Sequence, residues 1–273
     1  MKKVLTALLA LTFVLSACTT DIKLPPHPSD QPFIDPQYGA QKITEAAVSD
    51  WDSVIITEEL IEVPTPVRSI DPSKPMIALT FDDGPYESTE QILDLLELHG
   101  AVATFCVIGS QIHGNRDTLR RTVELGSEVI GHSWKHCNYT ELTAEEVRRD
   151  LILTNTEIEA VTGIKPALFR PPYGRFNNDV QSVSRELGLS ILNWSIDPRD
   201  WESKDPEAIF NAVIRDAYDR GIIILHDRNK ETAEAMKLVI PALIELGYQL
   251  VTASELLYYS GAVLEAGKVY SNG

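Results

Sequence analysis

The sequence is poor in cysteine, in positive charge and in long hydrophobic runs. Its 273 residues include three cysteines, Cys18, Cys106 and Cys137, which excludes a framework of several disulfide bridges. Lysine and arginine number 24 against 40 aspartates and glutamates, for a net charge of −16. Because nucleic-acid binding depends on neutralising phosphates with basic side chains, nucleic acid is not an expected partner. The apolar run from Val4 to Leu15 is too short to predict a membrane span.

The N-terminus has the order of a secretory signal: Lys2 and Lys3, the apolar run, and then Leu15-Ser16-Ala17-Cys18. These last four residues resemble the lipobox of bacterial lipoproteins, in which cleavage precedes the cysteine and a lipid is attached to its sulfur. We therefore expect residues 1–17 to be a signal peptide and Cys18 to be the lipidation site. The protein is then extracytoplasmic and attached to a membrane through that lipid. An uncleaved anchor and a plain signal peptide with a chance cysteine are the alternatives.

The rest of the chain divides by composition. Residues 18–74 are rich in proline, aspartate, serine and threonine, which is typical of a tether or N-terminal extension. Residues 75–260 are long enough to bury a full core and are predicted to form the folded domain. Residues 261–273 are expected to be a C-terminal tail. Nothing in the sequence indicates the oligomeric state.

Short apolar runs alternate with amphipathic stretches from residue 76 onward. Seven runs predict β-strands, at 76–81, 102–108, 127–131, 167–169, 189–194, 222–225 and 249–252. Gly100 and Gly163 stand where intervening helices should end, and Thr143-Ala-Glu-Glu146 supplies a capping box for a helix towards Val161. The alternation predicts an α/β fold with a parallel sheet and helices outside. Seven units favour a distorted (β/α)7-type barrel over a flat doubly wound sheet.

Five short polar motifs follow these predicted strands. They are Thr80-Phe81-Asp82-Asp83-Gly84-Pro85, His132-Ser133-Trp134-Lys135-His136, Arg170-Pro171-Pro172-Tyr173-Gly174, Asp197-Pro198-Arg199-Asp200-Trp201 and Leu225-His226-Asp227. In an α/β barrel the loops at the carboxyl ends of the strands converge around the axis, and active sites assemble there. The motifs and the fold therefore predict one site at that end of the barrel.

The first two motifs together indicate a metal site. His132 and His136 are four residues apart, so on a helical turn both imidazoles project from one face and can share an ion. A carboxylate from Asp82-Asp83 would complete the His-His-Asp set typical of catalytic zinc, while the other carboxylate takes a proton from water. Zinc is expected, with cobalt or nickel as alternatives. Taken singly, each motif has an ordinary alternative: a solvated histidine pair, or a surface turn.

The ordered set of motifs resembles the signature of the polysaccharide deacetylases of the NodB-homology type, carbohydrate esterase family 4, over residues 76 to about 258. The resemblance implies a NodB-like barrel and a metal-dependent deacetylase. It implies that Asp82 is the catalytic base and that His226 is the acid that protonates the leaving amine. Asp83, His132 and His136 would be the metal ligands.

The same resemblance implies two supporting pairs. Arg170 would pair with Asp82, which should hold the base ionised and oriented. Asp200 would orient His226 and raise its pKa, as a neighbouring carboxylate does for an imidazolium.

It also implies a binding pocket for the acetyl group. The backbone N–H of Tyr173 would form an oxyanion hole together with the metal, on a loop stiffened by Pro171. Trp201 and Leu225 would line the pocket that accepts the acetyl methyl group.

The expected reaction is removal of N-acetyl groups from an N-acetylated polysaccharide outside the cytoplasm. Peptidoglycan N-acetylglucosamine is the expected substrate, by family analogy rather than by any residue of this chain. Chitin oligomers and O-acetylated xylan are alternatives, because one site can act on an amide or an ester. A noncatalytic lipoprotein that binds glycan is the alternative from another class. The presence of both Asp82 and His226 argues against it, since a binding protein needs neither a base nor an acid.

Overall fold

Parallel strands and their connecting helices make up most of residues 69–273, which are the residues that the computed structural model describes. The strands are β1 (Met76–Asp82), β2 (Thr104–Val107), β3 (Glu128–Gly131), β4 (Leu168–Phe169), β5 (Ser190–Leu192), β6 (Ile222–His226), β7 (Gln249–Leu250) and β8 (Val269–Tyr270). The helices are α1 (Glu87–His99), α2 (Gly109–Ile112), α3 (Arg116–Glu124), α4 (Ala144–Thr162), α5 (Asn178–Glu186), α6 (Pro206–Asp216), α7 (Lys230–Glu245) and α8 (Ala253–Tyr259). Within this part of the chain, no helix has the length and apolar character needed to cross a membrane. The predicted signal peptide, Cys18 and most of the predicted tether lie outside the described residues.

The strands form one curled sheet. Neighbouring strands run parallel in the order β6-β1-β2-β3-β4-β5-β8, and β7 pairs with β1. A bridge between Ile196, just after β5, and Ile223 of β6 connects the two sides of this order. The sheet therefore curls back on itself, and the predicted α/β class with a distorted (β/α)7-type barrel is confirmed.

All seven strands predicted from the apolar runs are present, with ends shifted by one or two residues. An eighth strand, β8, lies in residues 261–273, where the sequence predicts a tail. It pairs with Ile191 and Leu192 of β5, and Tyr270 is buried there with its hydroxyl donating to the carbonyl of Val263 at 2.7 Å. The expected domain boundary at residue 260 is therefore wrong, because the chain beyond it completes one edge of the sheet.

Strand β1 shows how the barrel sorts its side chains. Successive residues of a strand point to opposite faces, and both faces of β1 are buried. The set that packs under the helices is Ile77, Leu79 and Phe81. The opposite set begins with Met76 and Ala78 and continues by the same alternation with Thr80 and Asp82. The pattern of β1 thus turns a carboxylate into the barrel at the carboxyl end of the strand.

Helix α4 begins and ends as the sequence predicts. Thr143 and Glu146 form a reciprocal capping box, and Gly163 closes the helix with a left-handed φ of 72°. The helix carries Asp150 on its buried side, from which that carboxylate reaches the loop after β3.

Candidate active site

Side chains from all five motifs gather at the carboxyl end of the sheet. Asp82 ends β1, and its register partner on the neighbouring strand is His226 at the end of β6. His132 follows β3, Arg170 follows β4, and Asp200 lies in the loop after β5. Four of these five side chains are fully or almost fully buried, and His226 is 14 % exposed. The predicted convergence of the motifs is present in the fold.

Arg170 is a fully buried cation whose partners fix the orientation of Asp82. Its Nη1 donates to Asp82 Oδ1 and to Thr80 Oγ1, both at 2.7 Å, and its other nitrogens donate to the carbonyls of Leu192 and Asn193. Burial would raise the pKa of Asp82, but the positive charges of Arg170 and of the neighbouring His132 and His226 together outweigh burial, so that the pKa lies below its ordinary value. Asp82 is therefore an ionised carboxylate with one oxygen held by Arg170.

Asp83, His132 and His136 form a cluster that fits a metal ion. Their ligand atoms lie within 4.8 Å of one another, with Asp83 Oδ1 at 3.3 Å from His136 Nε2 and 3.7 Å from His132 Nε2. Asp83 Oδ1 is buried and has no hydrogen-bond partner among the described residues. A buried, unpaired carboxylate oxygen is costly, and a cation bound between these three side chains would satisfy it.

The hydrogen bond of His132 and the pKa of His136 both suit metal binding. His132 Nδ1 donates to the carbonyl of Arg170 at 2.8 Å, which leaves the lone pair on Nε2 facing Asp83. Burial and the neighbouring His132 lower the pKa of His136, which favours its neutral form. A neutral imidazole is the form that donates a lone pair to a metal.

The two histidines do not lie on a helical turn, so this part of the sequence prediction is wrong. The segment that carries them is an irregular loop in which Ser133 and His136 have left-handed φ values of 62° and 58°. The loop is held from outside instead: the N–H of Trp134 donates to Asp150 Oδ1 at 2.9 Å. The four-residue spacing therefore brings the rings together through the shape of the loop rather than through helical periodicity.

Left-handed backbone is concentrated at the site. Six non-glycine residues between 69 and 273 have positive φ, and five of them belong to the motif loops: Asp83, Ser133, His136, Tyr173 and Arg199. Such conformations cost roughly 1–3 kcal/mol each and persist where the surrounding structure imposes them. The fold thus imposes backbone strain at several motif loops around the cluster.

Asp200 fixes the ring of His226. It is fully buried, and it accepts the His226 N–H at 2.7 Å, the Thr232 hydroxyl at 2.6 Å and the His226 Nδ1–H at 2.8 Å. Burial acts to lower the pKa of His226, but the hydrogen bond and charge of Asp200, together with the charges of Asp82 and Asp83, outweigh burial and raise the pKa. Nε2, the nitrogen not bonded to Asp200, is left to carry the exchangeable proton of the imidazolium.

Leu225 does not occupy the position expected for a pocket residue. It is fully buried in the core beneath the helices, together with Phe81, its register partner on β1. Side chains alternate along β6, so Leu225 and His226 point to opposite faces. Ile224, which is 5 % exposed, shares the inner face with His226 and has the orientation that the sequence prediction assigned to Leu225.

The remaining predicted pocket residues lie on the surrounding loops. Pro171 is buried, and Tyr173 is 59 % exposed, with its ring edge-on to His136 at 4.7 Å between centroids. Trp201 is 46 % exposed, and the guanidinium of Arg199 lies over its ring at 5.3 Å. Tyr173 is thus in contact with the metal-site cluster, whereas the stacking partner of Trp201 is a residue of its own loop.

Asp227 is a site residue whose role the sequence did not reveal. It is fully buried, its Oδ2 accepts the Thr89 hydroxyl at 2.6 Å, and its N–H donates to the carbonyl of Asp82 at 3.2 Å. Burial raises the pKa of Asp227 to about 7, against the Thr89 hydrogen bond, which lowers it. The residue joins the end of β6 to the Asp82-Asp83 turn, and only its adjacency to His226 could have pointed to it.

Replacing Gly84 with alanine is expected to destabilise the protein because Asp227 fills the space beside it. A Cβ at Gly84 would lie 2.1 Å from Asp227 Oδ2 and 2.6 Å from Oδ1. Asp227 is fully buried and its Oδ2 is held by the Thr89 hydroxyl, so we expect the overlap to lower the free energy of unfolding by about 1–3 kcal/mol. Gly114→Ala is the matched control, since nothing lies within 4 Å of a Cβ there. Equal urea midpoints for the two variants would contradict this packing argument.

The chain is similar to known proteins over this domain. A family profile described as polysaccharide deacetylase matches residues 69–192. The peptidoglycan-N-acetylmuramic acid deacetylase PdaC of Bacillus subtilis is 38% identical over 199 residues, which are 72% of this chain and 42% of PdaC. Its solved structure aligns with a TM-score of 0.68, covering 70% of this chain and 94% of the solved one. The chain thus spans less than half of the length of full PdaC.

Two further relatives bear on what the site can do. A peptidoglycan-N-acetylglucosamine deacetylase of Bacillus cereus is 36% identical over 190 residues, 67% of this chain and 89% of the relative. The solved structure of BA3943 of Bacillus anthracis, described as a CE4 family pseudoenzyme, is 29% identical with a TM-score of 0.64, covering 73% of this chain and 71% of that one. The fold by itself therefore does not establish catalysis, and the arrangement of the site side chains has to carry that argument.

Proposed function

The chain belongs to the polysaccharide deacetylase family, and we propose on that premise that it is a metal-dependent hydrolase that removes N-acetyl groups from extracytoplasmic peptidoglycan. The observation that carries the proposal is the meeting, at one end of the barrel, of an arginine-held carboxylate, a metal-site cluster and a carboxylate-held histidine. A glycan-binding protein without activity would need none of these pairs to be intact.

Asp83, His132 and His136 would hold the metal, which we propose to be zinc, with cobalt or nickel as alternatives. The unpaired buried oxygen of Asp83, the Nε2 of His132 and the lowered pKa of His136 support this assignment. When bound, such an ion supplies Lewis acidity to the acetamide carbonyl and activates water. The ionised Asp82 beside this cluster is the base that would accept a proton from the attacking water.

Expulsion of the amine requires a proton, and His226 is placed to supply it. Its raised pKa favours the imidazolium, whose Nε2 proton would pass to the amide nitrogen as the carbon–nitrogen bond breaks and acetic acid leaves, to ionise to acetate in solvent. The backbone N–H of Tyr173 would contribute to the oxyanion hole, and the left-handed conformation of that residue is consistent with a preset loop. Asp82 thus ends protonated and His226 neutral, and the two return to their starting states by exchange with solvent.

The proposed location and substrate follow from the leader and from the relatives. A lipid on Cys18 would attach the protein to the membrane on the extracytoplasmic side, where peptidoglycan lies. The PdaC relative and the Bacillus cereus relative are each named for a peptidoglycan sugar. Chitin oligomers and O-acetylated xylan remain alternative substrates for a site of this chemistry.

The experiment that tests the proposal is acetate release by the full-length protein from peptidoglycan, chitin oligomers and acetylated xylan in parallel. We expect release from peptidoglycan, with free amino groups appearing on its sugars. Release from xylan alone would replace the proposed function by an esterase. No release from any of the three by protein that contains metal would favour the noncatalytic glycan-binding protein.

Asp200→Asn is expected to shift the alkaline limb of the pH–rate profile to lower pH. The acid must be protonated to act, so activity is lost as the pH rises through the pKa of His226, and Asp200 raises that pKa. The measurement is kcat for acetate release as a function of pH. Asp197→Asn is the matched control, because Asp197 lies in the same motif but is exposed, and within residues 69–273 the one hydrogen bond that it accepts is from the Arg199 N–H. An alkaline limb that shifts by the same amount in Asp200→Asn and Asp197→Asn, or that shifts in neither variant, would contradict the role given to Asp200.

A further inference from the structure

A cleft whose lining includes two basic residues adjoins the candidate active site. It is open, has a volume of about 340 Å³, and is lined by Tyr86, Glu87, Ser88, Gln91, Arg228 and Lys230. Pockets that bind small ligands span about 300–1,000 Å³, so this one can accept a substituent of several atoms. We call it the Arg228 cleft.

Arg228 connects the cleft to the metal-site cluster through Asp83. The two oxygens of that carboxylate face different ways: Oδ1 faces His132 and His136, while Oδ2 lies 3.2 Å from Arg228 Nη1. Arg228 therefore sits beside the proposed metal position without occupying it. Any group bound by its remaining nitrogens would lie next to the reacting acetamide.

The guanidinium of Arg228 has N–H donors that its contact with Asp83 does not use. Its side chain is 50 % exposed, and within residues 69–273 Asp83 is the one ion-pair partner that it has. A guanidinium presents five N–H donors in a planar fork that matches a carboxylate in a two-bond contact. Arg228 can hence keep its contact to Asp83 through Nη1 and bind a second carboxylate from the cleft.

Lys230 adds a second cation to the same cleft. It is exposed at the first position of α7 and forms no ion pair in the described part of the chain, whereas Lys237 and Lys268 each pair with a nearby glutamate. Glu87 is the one acidic residue of the lining, and it lies in the first turn of α1, where free backbone N–H groups offset its charge. The lining therefore carries two cations against one carboxylate, in a chain whose net charge is −16.

We infer that the Arg228 cleft binds a carboxylate carried by the glycan, on the sugar whose acetamide reacts or on its neighbour. The inference rests on the proposed deacetylase function and narrows its substrate class to anionic N-acetylated glycans. The lactyl ether of an N-acetylmuramic acid unit supplies such a carboxylate, whereas chitin oligomers have none. Arg228 provides the two-bond contact and Lys230 a second positive charge.

The test compares two forms of one substrate. Peptidoglycan strands freed of peptide carry free lactyl carboxylates, and converting these to methyl amides removes the charge with little change in size. For the unmodified protein we expect kcat/KM for acetate release to be at least about tenfold higher on the carboxylate form, since a charge-assisted hydrogen bond commonly discriminates to that extent. In Arg228→Gln the preference should disappear, mainly through KM, and in Arg228→Lys it should be intermediate.

The ratio between the two forms cancels any general effect of Arg228 on the metal-site cluster, and metal content is measured in every variant. Arg215→Gln is the matched control. Arg215 is exposed, pairs with its neighbour Asp216, and lies at the far end of α6 from the site, so both the activity and the preference should be unchanged.

A titration of the protein with N-acetylmuramic acid and with its methyl amide provides a readout that does not depend on turnover. Tighter binding of the acid that is lost in Arg228→Gln supports the inference. Equal kcat/KM on both strand forms, or a preference that survives in Arg228→Gln, overturns it while leaving the deacetylase function intact. Failure to release acetate from either form overturns the proposed function. The titration then tests carboxylate binding in the Arg228 cleft independently of turnover.

Discussion

Replacing Asp82 with asparagine is expected to lower the rate of acetate release by a factor of about 10² to 10⁴, the usual contribution of a general base. The asparagine side chain has the same size but cannot accept the proton of the attacking water. The proposed ligands Asp83, His132 and His136 are untouched, so bound metal should remain at the level of the unmodified protein. The measurements are the initial rate of acetate release and the metal content of the same sample.

The variant also leaves the buried Arg170 without its anionic partner, which could unfold the protein rather than disable it. Unfolding curves of the purified variant separate the two outcomes, because only a folded sample with metal tests the chemistry. His132→Ala is the companion variant and should lose both metal and activity. A folded Asp82→Asn protein with near-normal activity would show that another group is the base.

Replacing His226 with glutamine is expected to reduce amide hydrolysis by a similar factor of about 10² to 10⁴, and to reduce hydrolysis of an activated aryl acetate much less. An amine is a poor leaving group and must be protonated as it departs, whereas a phenolate with an electron-withdrawing substituent leaves without a proton. The measurement is kcat for acetate release from the glycan and from the aryl ester with the same preparation.

Glutamine keeps the backbone N–H that donates to Asp200, and Asp200 retains its bond from Thr232, so the support around position 226 is largely preserved. Equal losses on the two substrates would mean that His226 positions the substrate or the metal-site cluster rather than delivering a proton. Full retention of amide hydrolysis would remove the acid role altogether.

The parts of the fold that the sequence predicts well are those encoded by local pattern. Seven strands appear as apolar runs, the box at Thr143 and Gly163 marks both ends of α4, and the motif residues fall after strands whose ends must converge. Strand β8 escaped prediction because its two residues, Val269 and Tyr270, are flanked by polar residues and glycine rather than lying in a longer apolar run, and its place depends on pairing with β5. The face of Leu225 depends on which residue of β6 aligns with Phe81, and a one-residue shift reverses it.

The contacts that support the site were harder to predict from the sequence. Thr80 reaches Arg170 across 90 residues of sequence, and Asp227 meets Thr89 across 138. Such partners depend on strand order and register, which a single sequence does not encode locally. The charged residues were recognisable because their types and order are chemically distinctive, whereas the hydroxyls that hold them are ordinary residues until the fold brings them together.

The most direct test of the central claim is acetate release from peptidoglycan strands measured before chelation, after removal of the metal, and after a stoichiometric amount of zinc is returned. The account predicts loss of activity on removal and recovery on return, with the protein folded throughout. Unchanged acetate release from protein that contains no metal would contradict the account, as would the absence of release at every stage.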